Sequence, residues 1–252
     1  MSSASIPLKT TLLSRAGTHR ITLVAGTILL VLTVLVGTAV YVVMARHAEE
    51  LLSKSLQISL KNSAQLIESE IGAGFDKTMV VATRPLLLDQ MQRLAAAADD
   101  AAAREVLNKA VQSFLSTSLT AIALFDKDGR EITRAGSFAS NTALTVPVKL
   151  PGRAQLVWDG RLLLRTVVDM KRSGQVIGQV MAETLMTATY ESLKDINLLG
   201  ETGELALCAS EGANMLCFPT RLNPKVMTLP QRSAQGVPRP MTYALEIGRA
   251  HV

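Results

Sequence analysis

The sequence predicts an α+β protein whose folded part follows a transmembrane helix. Residues 21–45 carry no charge, and apolar residues then recur at helical spacing to about residue 118. From residue 119 onward, short apolar runs alternate with turn-forming residues, which is typical of strands. Because the helical and strand-like parts follow one another, we expect an antiparallel sheet with helices packed on it.

The uncharged run is long enough to cross a bilayer. At about 1.5 Å per residue, a helix over residues 21–45 measures roughly 37 Å, against a hydrocarbon core of about 30 Å. A cleaved signal peptide is the alternative, with Val-Met-Ala at residues 43–45 as its cleavage site. Signal-peptide cores usually hold about 7–15 apolar residues, so the length favours a retained anchor.

The charges around this run predict its orientation. Lys9, Arg15 and Arg20 precede it without any acidic residue, whereas Glu49 and Glu50 follow it closely. By the positive-inside rule, the N-terminal tail stays in the cytoplasm and everything after the apolar run is exported.

The overall charge does not indicate nucleic-acid binding. The net charge is +5, but three of these charges lie in the N-terminal tail, which leaves +2 for the exported part. That part contains no basic run interleaved with aromatic residues, so we expect no nucleic-acid partner. Its length of about 200 residues suffices for one large or two small hydrophobic cores.

Beyond the membrane the pattern predicts two helical regions. Residues 46–75 lack proline and carry apolar residues four or seven apart: Leu52, Leu56, Leu60, Ile67 and Ile71. Gly72 and Gly74 are expected to weaken the end of this helix. A second helical region follows Pro85 and reaches about residue 118, interrupted by a new N-cap at residues 99–100. These helices are expected to transmit motion through the membrane, to cover a sheet, or both.

The first strand and its return are clearly delimited. Residues 120–125 form an apolar run that predicts a strand. Asp126-Lys-Asp-Gly predicts a turn with glycine at the position that favours positive φ, and residues 130–133 predict the second strand of the hairpin. The acidic turn does not match a calcium loop, because Arg130 and Ser137 stand where oxygen ligands are needed.

Further strands are predicted at residues 144–150, 154–158, 161–168 and 175–185, separated by turn-forming residues. Residues 187–197 predict a short helix, with Tyr190, Leu193 and Ile196 on one side. A new β-hairpin then begins at Gly203.

The two cysteines are placed to face each other in that hairpin. If it turns at residues 212–213, Cys208 and Cys217 are directly opposed, and opposed Cβ atoms approach within about 4.5–5.5 Å or less, near disulfide range. Export permits oxidation. Two half-buried thiols are the alternative, because a one-residue bulge would move the cysteines apart. Two cysteines alone do not indicate a metal site.

The order of these elements resembles the periplasmic double Cache sensor module of bacterial receptors. The residues that carry the resemblance follow a membrane helix and a long exported helix: IALFDKDGREI, SGQVIGQVMAETL, a short helix, and LGETGELALCASEGANMLCFP. The resemblance covers residues 46–245. It implies a PAS-like distal subdomain, a second proximal subdomain and an inner-membrane location with the sensor region in the periplasm.

The resemblance also implies how the chain is organised. We expect a cytoplasmic tail at 1–20, the membrane helix at 21–45, the long helix and distal subdomain at 46–190, and the start of the proximal subdomain at 191–245. The last residues, 246–252, read Glu-Ile-Gly-Arg-Ala-His-Val, which resembles a sequencing-library adapter translated in frame. They are therefore expected to be non-native.

Such modules sense a small molecule for an output domain, here expected to be a diguanylate cyclase or a histidine kinase, and are expected to act as homodimers without a cofactor. The alternatives are a membrane-anchored exported enzyme and a scaffold protein. No HExxH, G-x-S-x-G or nucleotide-binding glycine motif occurs, and the one histidine soon after the membrane helix is His47. Chemistry by Asp, Glu, Lys or Cys stays open, but no spacing singles out a catalytic residue.

The resemblance places the ligand pocket in the distal subdomain, on the sheet face away from the long helix. A period of two puts Arg161 and Arg165 on one strand face and Leu162 and Leu164 on the other, so the arginines are expected to face the pocket, with Trp158 at its edge. Asp169 lies further along the strand. The guanidinium groups predict a small organic anion such as a carboxylate. Alternatively, the arginines are a solvated strand face and Trp158 is a packed core residue.

Overall fold

The computed structural model describes residues 13–116, 118–140, 143–150, 152–194, 205–239 and 242. It divides into two units, Met1–Ile58 and Ser59–Val252. Helix α1 runs from Leu13 to Ala82 and therefore contributes to both. The fold is α+β, as the sequence predicts.

In the first unit, α1 is long and apolar enough to cross a membrane. An 18-residue window within it has a mean hydropathy of 2.6, and none of that window is buried. Three of its threonines satisfy their hydroxyls within the helix: those of Thr27, Thr33 and Thr38 donate to carbonyl oxygens four residues earlier, at 2.6, 2.8 and 2.7 Å. Internal pairing of this kind is what a hydrocarbon environment requires.

The second unit adds three helices and nine strands among its described residues. They are α2 (Pro85–Ala96), α3 (Ala101–Ser113), β1 (Leu119–Asp126), β2 (Glu131–Gly136), β3 (Leu144–Leu150), β4 (Gly152–Trp158), β5 (Leu162–Arg172), β6 (Gln175–Leu185), α4 (Thr187–Lys194), β7 (Cys208–Glu211), β8 (Asn214–Cys217) and β9 (Met227–Pro230). The predicted strands and helices correspond to these elements, except that the second helical region ends at Ser113 and not at about residue 118, and that β9 is not predicted. The predicted helix end at residue 197 and hairpin start at Gly203 lie outside the described residues.

The first helix does not end near residue 75, where Gly72 and Gly74 are expected to weaken it, since α1 continues to Ala82. Gly74 instead allows α1 to approach the sheet closely. A Cβ at this position would lie 2.7 Å from Cδ2 of the fully buried Leu164 on β5. Nearby, the hydroxyls of Thr78 and Thr166 are 2.6 Å apart and join the helix to the same strand.

Helices α2 and α3 begin where the sequence predicts. Pro85 is the first residue of α2, a position where its missing N–H costs no hydrogen bond. The Asp100 side chain caps α3 by accepting a hydrogen bond from the N–H of Ala103 at 2.9 Å. Both helices bury apolar residues at helical spacing: Leu87, Met91 and Leu94, and Ala103, Leu107 and Val111.

Strands β1 to β6 form one antiparallel sheet in the order β2-β1-β6-β5-β4-β3. The turn between β1 and β2 uses the carboxylate of Asp126, which accepts hydrogen bonds from the N–H groups of Asp128 and Arg130, both at 2.8 Å. Gly129 supplies the positive φ of 79° that the turn requires.

The two faces of this sheet are covered differently. One face packs on the helices, with Leu164, Val168 and Met170 of β5 buried against apolar residues of α1, α2 and α3. The other face carries the alternate residues of β5. There Ala139 and Ala143, from the connection between the edge strands β2 and β3, pack on Val157 and Leu163. This second face is called the connection face below.

Strands β7 to β9 form a second, three-stranded antiparallel sheet. Cys208 is opposite Cys217, the register that the sequence predicts, and the structure joins the two by a disulfide. Phe218, the next residue, is buried in the core that contains Leu162, Leu164 and Met186. This contact connects the small sheet to the helix-packed face of the large sheet.

Candidate functional site

Arg165 lies on the connection face, as the strand period predicts, but it is already paired. Its Nε donates to Oε1 of Glu183 at 2.7 Å, and its Nη2 lies 2.6 Å from the same oxygen. Glu183 sits directly opposite Arg165 on β6 and is fully buried. The other carboxylate oxygen, Oε2, accepts a hydrogen bond from the N–H of Ala139 at 2.8 Å. The pair therefore holds the β2–β3 connection against the sheet.

Asp169 shares this face but takes part in a different, exposed set of contacts. It accepts a hydrogen bond from Nε2 of Gln179 at 3.2 Å, and Oε1 of Gln179 in turn accepts one from Arg153 at 2.8 Å. Arg161 is exposed and precedes the first residue of β5. Arg153, Gln179 and Asp169 thus satisfy one another across β4, β6 and β5.

The prediction that Trp158 lies at the edge of the arginine face is wrong. Trp158 pairs with Leu162 across β4 and β5, so both point to the helix-packed face, opposite Arg165. Its ring packs in the apolar core and lies 5.7 Å from that of Tyr190, at an angle of 52°. The four predicted ligand residues, Trp158, Arg161, Arg165 and Asp169, are therefore not brought together in one site.

Trp158 instead lines a cavity of about 380 Å³. Trp158 and Leu162 of the large sheet form one wall, and Tyr190, Leu193 and Lys194 of α4 form a second. A third wall comes from the segment that leaves β8: Phe218, Pro219, Thr220, Arg221 and Pro224. The volume is in the range of small-molecule sites in proteins, about 300–1,000 Å³. We call this space the inter-sheet cavity.

The inter-sheet cavity has an apolar floor and cations at its rim. Leu162 and Phe218 are 1% and 2% exposed, whereas Lys194 and Arg221 are exposed. The Lys194 ammonium lies 4.0 Å from the centre of the Tyr190 ring. The hydrogen bond with Tyr190 raises the pKa of Lys194 above its ordinary value, so this group is a cation at neutral pH. No acidic side chain is among the described residues that line the cavity.

Helix α4, which forms the second wall, is tied to α1 at its first turn. The carboxylate of Glu70 on α1 accepts hydrogen bonds from the N–H groups of Ala188 and Thr189, at 3.1 and 2.8 Å. These are N–H groups that the helix itself leaves without partners. A carboxylate at a helix N-terminus is also favoured by the helix dipole.

Among the described residues that line this cavity, the sequence predicts Trp158 as a ligand residue and assigns no other to a site. The apolar side of α4, with Tyr190 and Leu193, was visible as helical spacing. Glu70, Glu183 and the wall from Phe218 to Pro224 were not identified, because each acts on residues distant in the sequence. The prolines at 219 and 224, with four residues between them, are the local signal of a rigid loop in the third wall.

No family model matches the chain, and no curated protein matches it. Among solved structures, it is similar to the crystal structure of the V. cholerae histidine kinase DctB sensor domain, with a TM-score of 0.40 and 9% identity. The similarity covers 75% of this chain and 95% of that chain. At this identity and TM-score it implies nothing about the ligand or the activity of this chain.

Proposed function

We propose that this chain is the extracytoplasmic ligand-sensing region of a transmembrane signal-transduction receptor. The contact between Glu70 and the first turn of α4 is the observation that carries the proposal. It links a wall of the inter-sheet cavity to the helix that also contains the membrane-length apolar segment.

The proposed mechanism is a shift of α1 when a ligand enters. A ligand that alters the position of α4 changes the hydrogen bonds that Glu70 accepts, and α1 responds because it is one continuous helix from Leu13 to Ala82. Such a response requires the ligand to bind one arrangement more tightly than the other, typically by about 1–3 kcal/mol. The order of the elements supports the same proposal through its resemblance to double Cache sensors.

Within this proposal the chain lies in a bacterial inner membrane as a homodimer, with the N-terminus in the cytoplasm and unit Ser59–Val252 outside. The output domain is a histidine kinase or a diguanylate cyclase. The apolar character of α1 up to Met44 supports the membrane assignment, and the resemblance supports the rest.

The experiment uses the full chain in lipid nanodiscs with one added cysteine, Ser55→Cys, so that two copies of α1 can be cross-linked. Small molecules are first screened for those that raise the unfolding temperature. We expect a stabilising ligand to change the cross-linking rate at residue 55. Glu70→Ala should retain ligand binding but abolish this change, whereas Glu68→Ala, an exposed carboxylate on the same helix, should leave it intact. Ligand binding without any change in cross-linking would refute a sensing role.

A further inference from the structure

We propose that the inter-sheet cavity binds a small amphipathic monoanion, a carboxylate attached to an aromatic or branched apolar group. The proposal rests on the proposed sensor function and names the site and the ligand class within it. It differs from the prediction made from the sequence, which placed a small carboxylate on the arginine face.

The apolar part of the ligand is specified by the floor. Leu162 and Phe218 are the buried lining residues of the cavity, and the tilted pair of Trp158 and Tyr190 adds aromatic surface. Aromatic ligands pack favourably in offset or edge-to-face contact with such rings. A fully polar ligand would leave this surface without matching contacts.

The cationic side chains at the rim of the cavity favour a negatively charged ligand. Lys194 and Arg221 are the charged side chains among the described lining residues, and both are cations. A ligand whose ring contacts Leu162 and Phe218 places its head group near Lys194, where a carboxylate gains charge-assisted hydrogen bonds. A neutral head gains less, and a cationic head is repelled.

The arginine face is a weaker candidate for an anion. The charge of Arg165 is balanced by the fully buried Glu183, and the Ala139 N–H donates a hydrogen bond to the second carboxylate oxygen of Glu183. A carboxylate ligand there would have to displace Glu183 and leave it unpaired in the interior, which is strongly unfavourable.

The single tryptophan of the chain provides the measurement, since Trp158 lines the cavity. We would titrate the full chain in nanodiscs with phenylacetate, phenylacetamide, phenethylammonium and acetate, and record tryptophan emission. We expect saturable changes with phenylacetate at about millimolar concentration or below. Phenylacetamide should bind more weakly, and acetate and phenethylammonium should leave the emission unchanged.

Two variants and a control locate the site. Lys194→Glu should weaken phenylacetate binding by about fivefold or more, and Leu193→Phe should weaken it by filling the cavity. Lys171→Glu makes the same charge change at an exposed position on β5 outside the cavity lining and should have no effect. Unchanged unfolding temperatures without ligand establish that the variants are folded.

The outcomes separate this proposal from the sensor function. Phenylacetate binding that depends on Lys194 but leaves cross-linking at residue 55 unchanged supports the site and contradicts the sensing role. The site is overturned if phenylacetate does not bind and another compound changes cross-linking without affecting Trp158 emission. That result would still support sensing. Equal binding of all four probes, or equal effects of Lys194→Glu and Lys171→Glu, would also overturn the site.

Discussion

Arg165 and Glu183 form an ion pair across β5 and β6, with the Arg165 side chain 16% exposed and the Glu183 side chain fully buried. Glu183 also accepts a hydrogen bond from the N–H of Ala139. One carboxylate therefore neutralises the Arg165 guanidinium and anchors the β2–β3 connection. The pair is a structural element of the connection face. Its loss should therefore be visible as a loss of stability.

We predict that Glu183→Ala lowers the free energy of unfolding by about 3 kcal/mol or more, because it leaves Arg165 unpaired and the Ala139 N–H without an acceptor. Chemical denaturation of the full chain measures this. Glu105→Ala removes a carboxylate from the exposed pair with Lys109 and should change little. Equal effects of the two substitutions would contradict the anchoring role.

The two glycines near the C-terminal end of α1 should respond in opposite ways to alanine. At Gly72 an added Cβ meets nothing within 4 Å, so Gly72→Ala should raise the free energy of unfolding by about 0.5–1 kcal/mol through helix propensity. Gly74→Ala should lower it by about 1 kcal/mol, because its Cβ collides with the buried Leu164 side chain. Stabilisation by both would mean that α1 is not held this close to β5.

The disulfide between Cys208 and Cys217 should protect both thiols. Labelling of denatured, unreduced protein should find no free thiol, and labelling after reduction should find two. Because the closed loop is short, reduction should lower the free energy of unfolding by only about 2 kcal/mol. Two reactive thiols in the unreduced protein, exported and purified without reductant, would show that the bridge does not form.

Stability below neutral pH should depend on the charge of Asp100. The N–H of Ala103 and the guanidinium of Arg93 hold the pKa of this carboxyl below its ordinary value of 3.8. A group with a lowered pKa in the folded state stabilises the fold above its unfolded-state pKa, and this contribution is lost as pH falls through the folded-state pKa.

Asp100→Asn keeps a capping side chain but removes the charge. The wild type should be more stable than this variant near neutral pH, and the difference should shrink as the pH falls below about 4 and disappear below the folded-state pKa of Asp100. Unfolding temperatures recorded across pH measure it, with Asp99→Asn as the control for loss of a neighbouring charge. If the difference in unfolding temperature persists at low pH, it comes from the shape of the capping side chain and not from the charge of Asp100.

The proposed topology can be tested without a ligand. Reporter fusions after residue 10 and after residue 120 should report opposite sides of the membrane, with residue 10 in the cytoplasm. The basic tail before the apolar run is the physical reason. Recovery of a soluble exported product that begins near Arg46 would instead demonstrate a cleaved signal peptide.

The sequence by itself determined the local elements. An uncharged run, helical spacing from Leu52 to Ile71, and turn residues such as Asp126 and Gly129 sufficed for the α+β class, the strand order along the chain and the turns. The register that opposes Cys208 and Cys217 followed from counting outward from a two-residue turn. These features depend on residues near one another in the chain, so local physical chemistry decides them.

Only the tertiary structure decided which side chains meet. Trp158 and Arg165 are seven residues apart, yet strand pairing places them on opposite sheet faces. The partner of Arg165 comes from β6, and the wall that faces Trp158 comes from α4 and residue 218 onward. At Gly74, the side chain of Leu164, 90 residues later, leaves no room for a Cβ. Such contacts follow from the packing of distant segments, which no local pattern encodes.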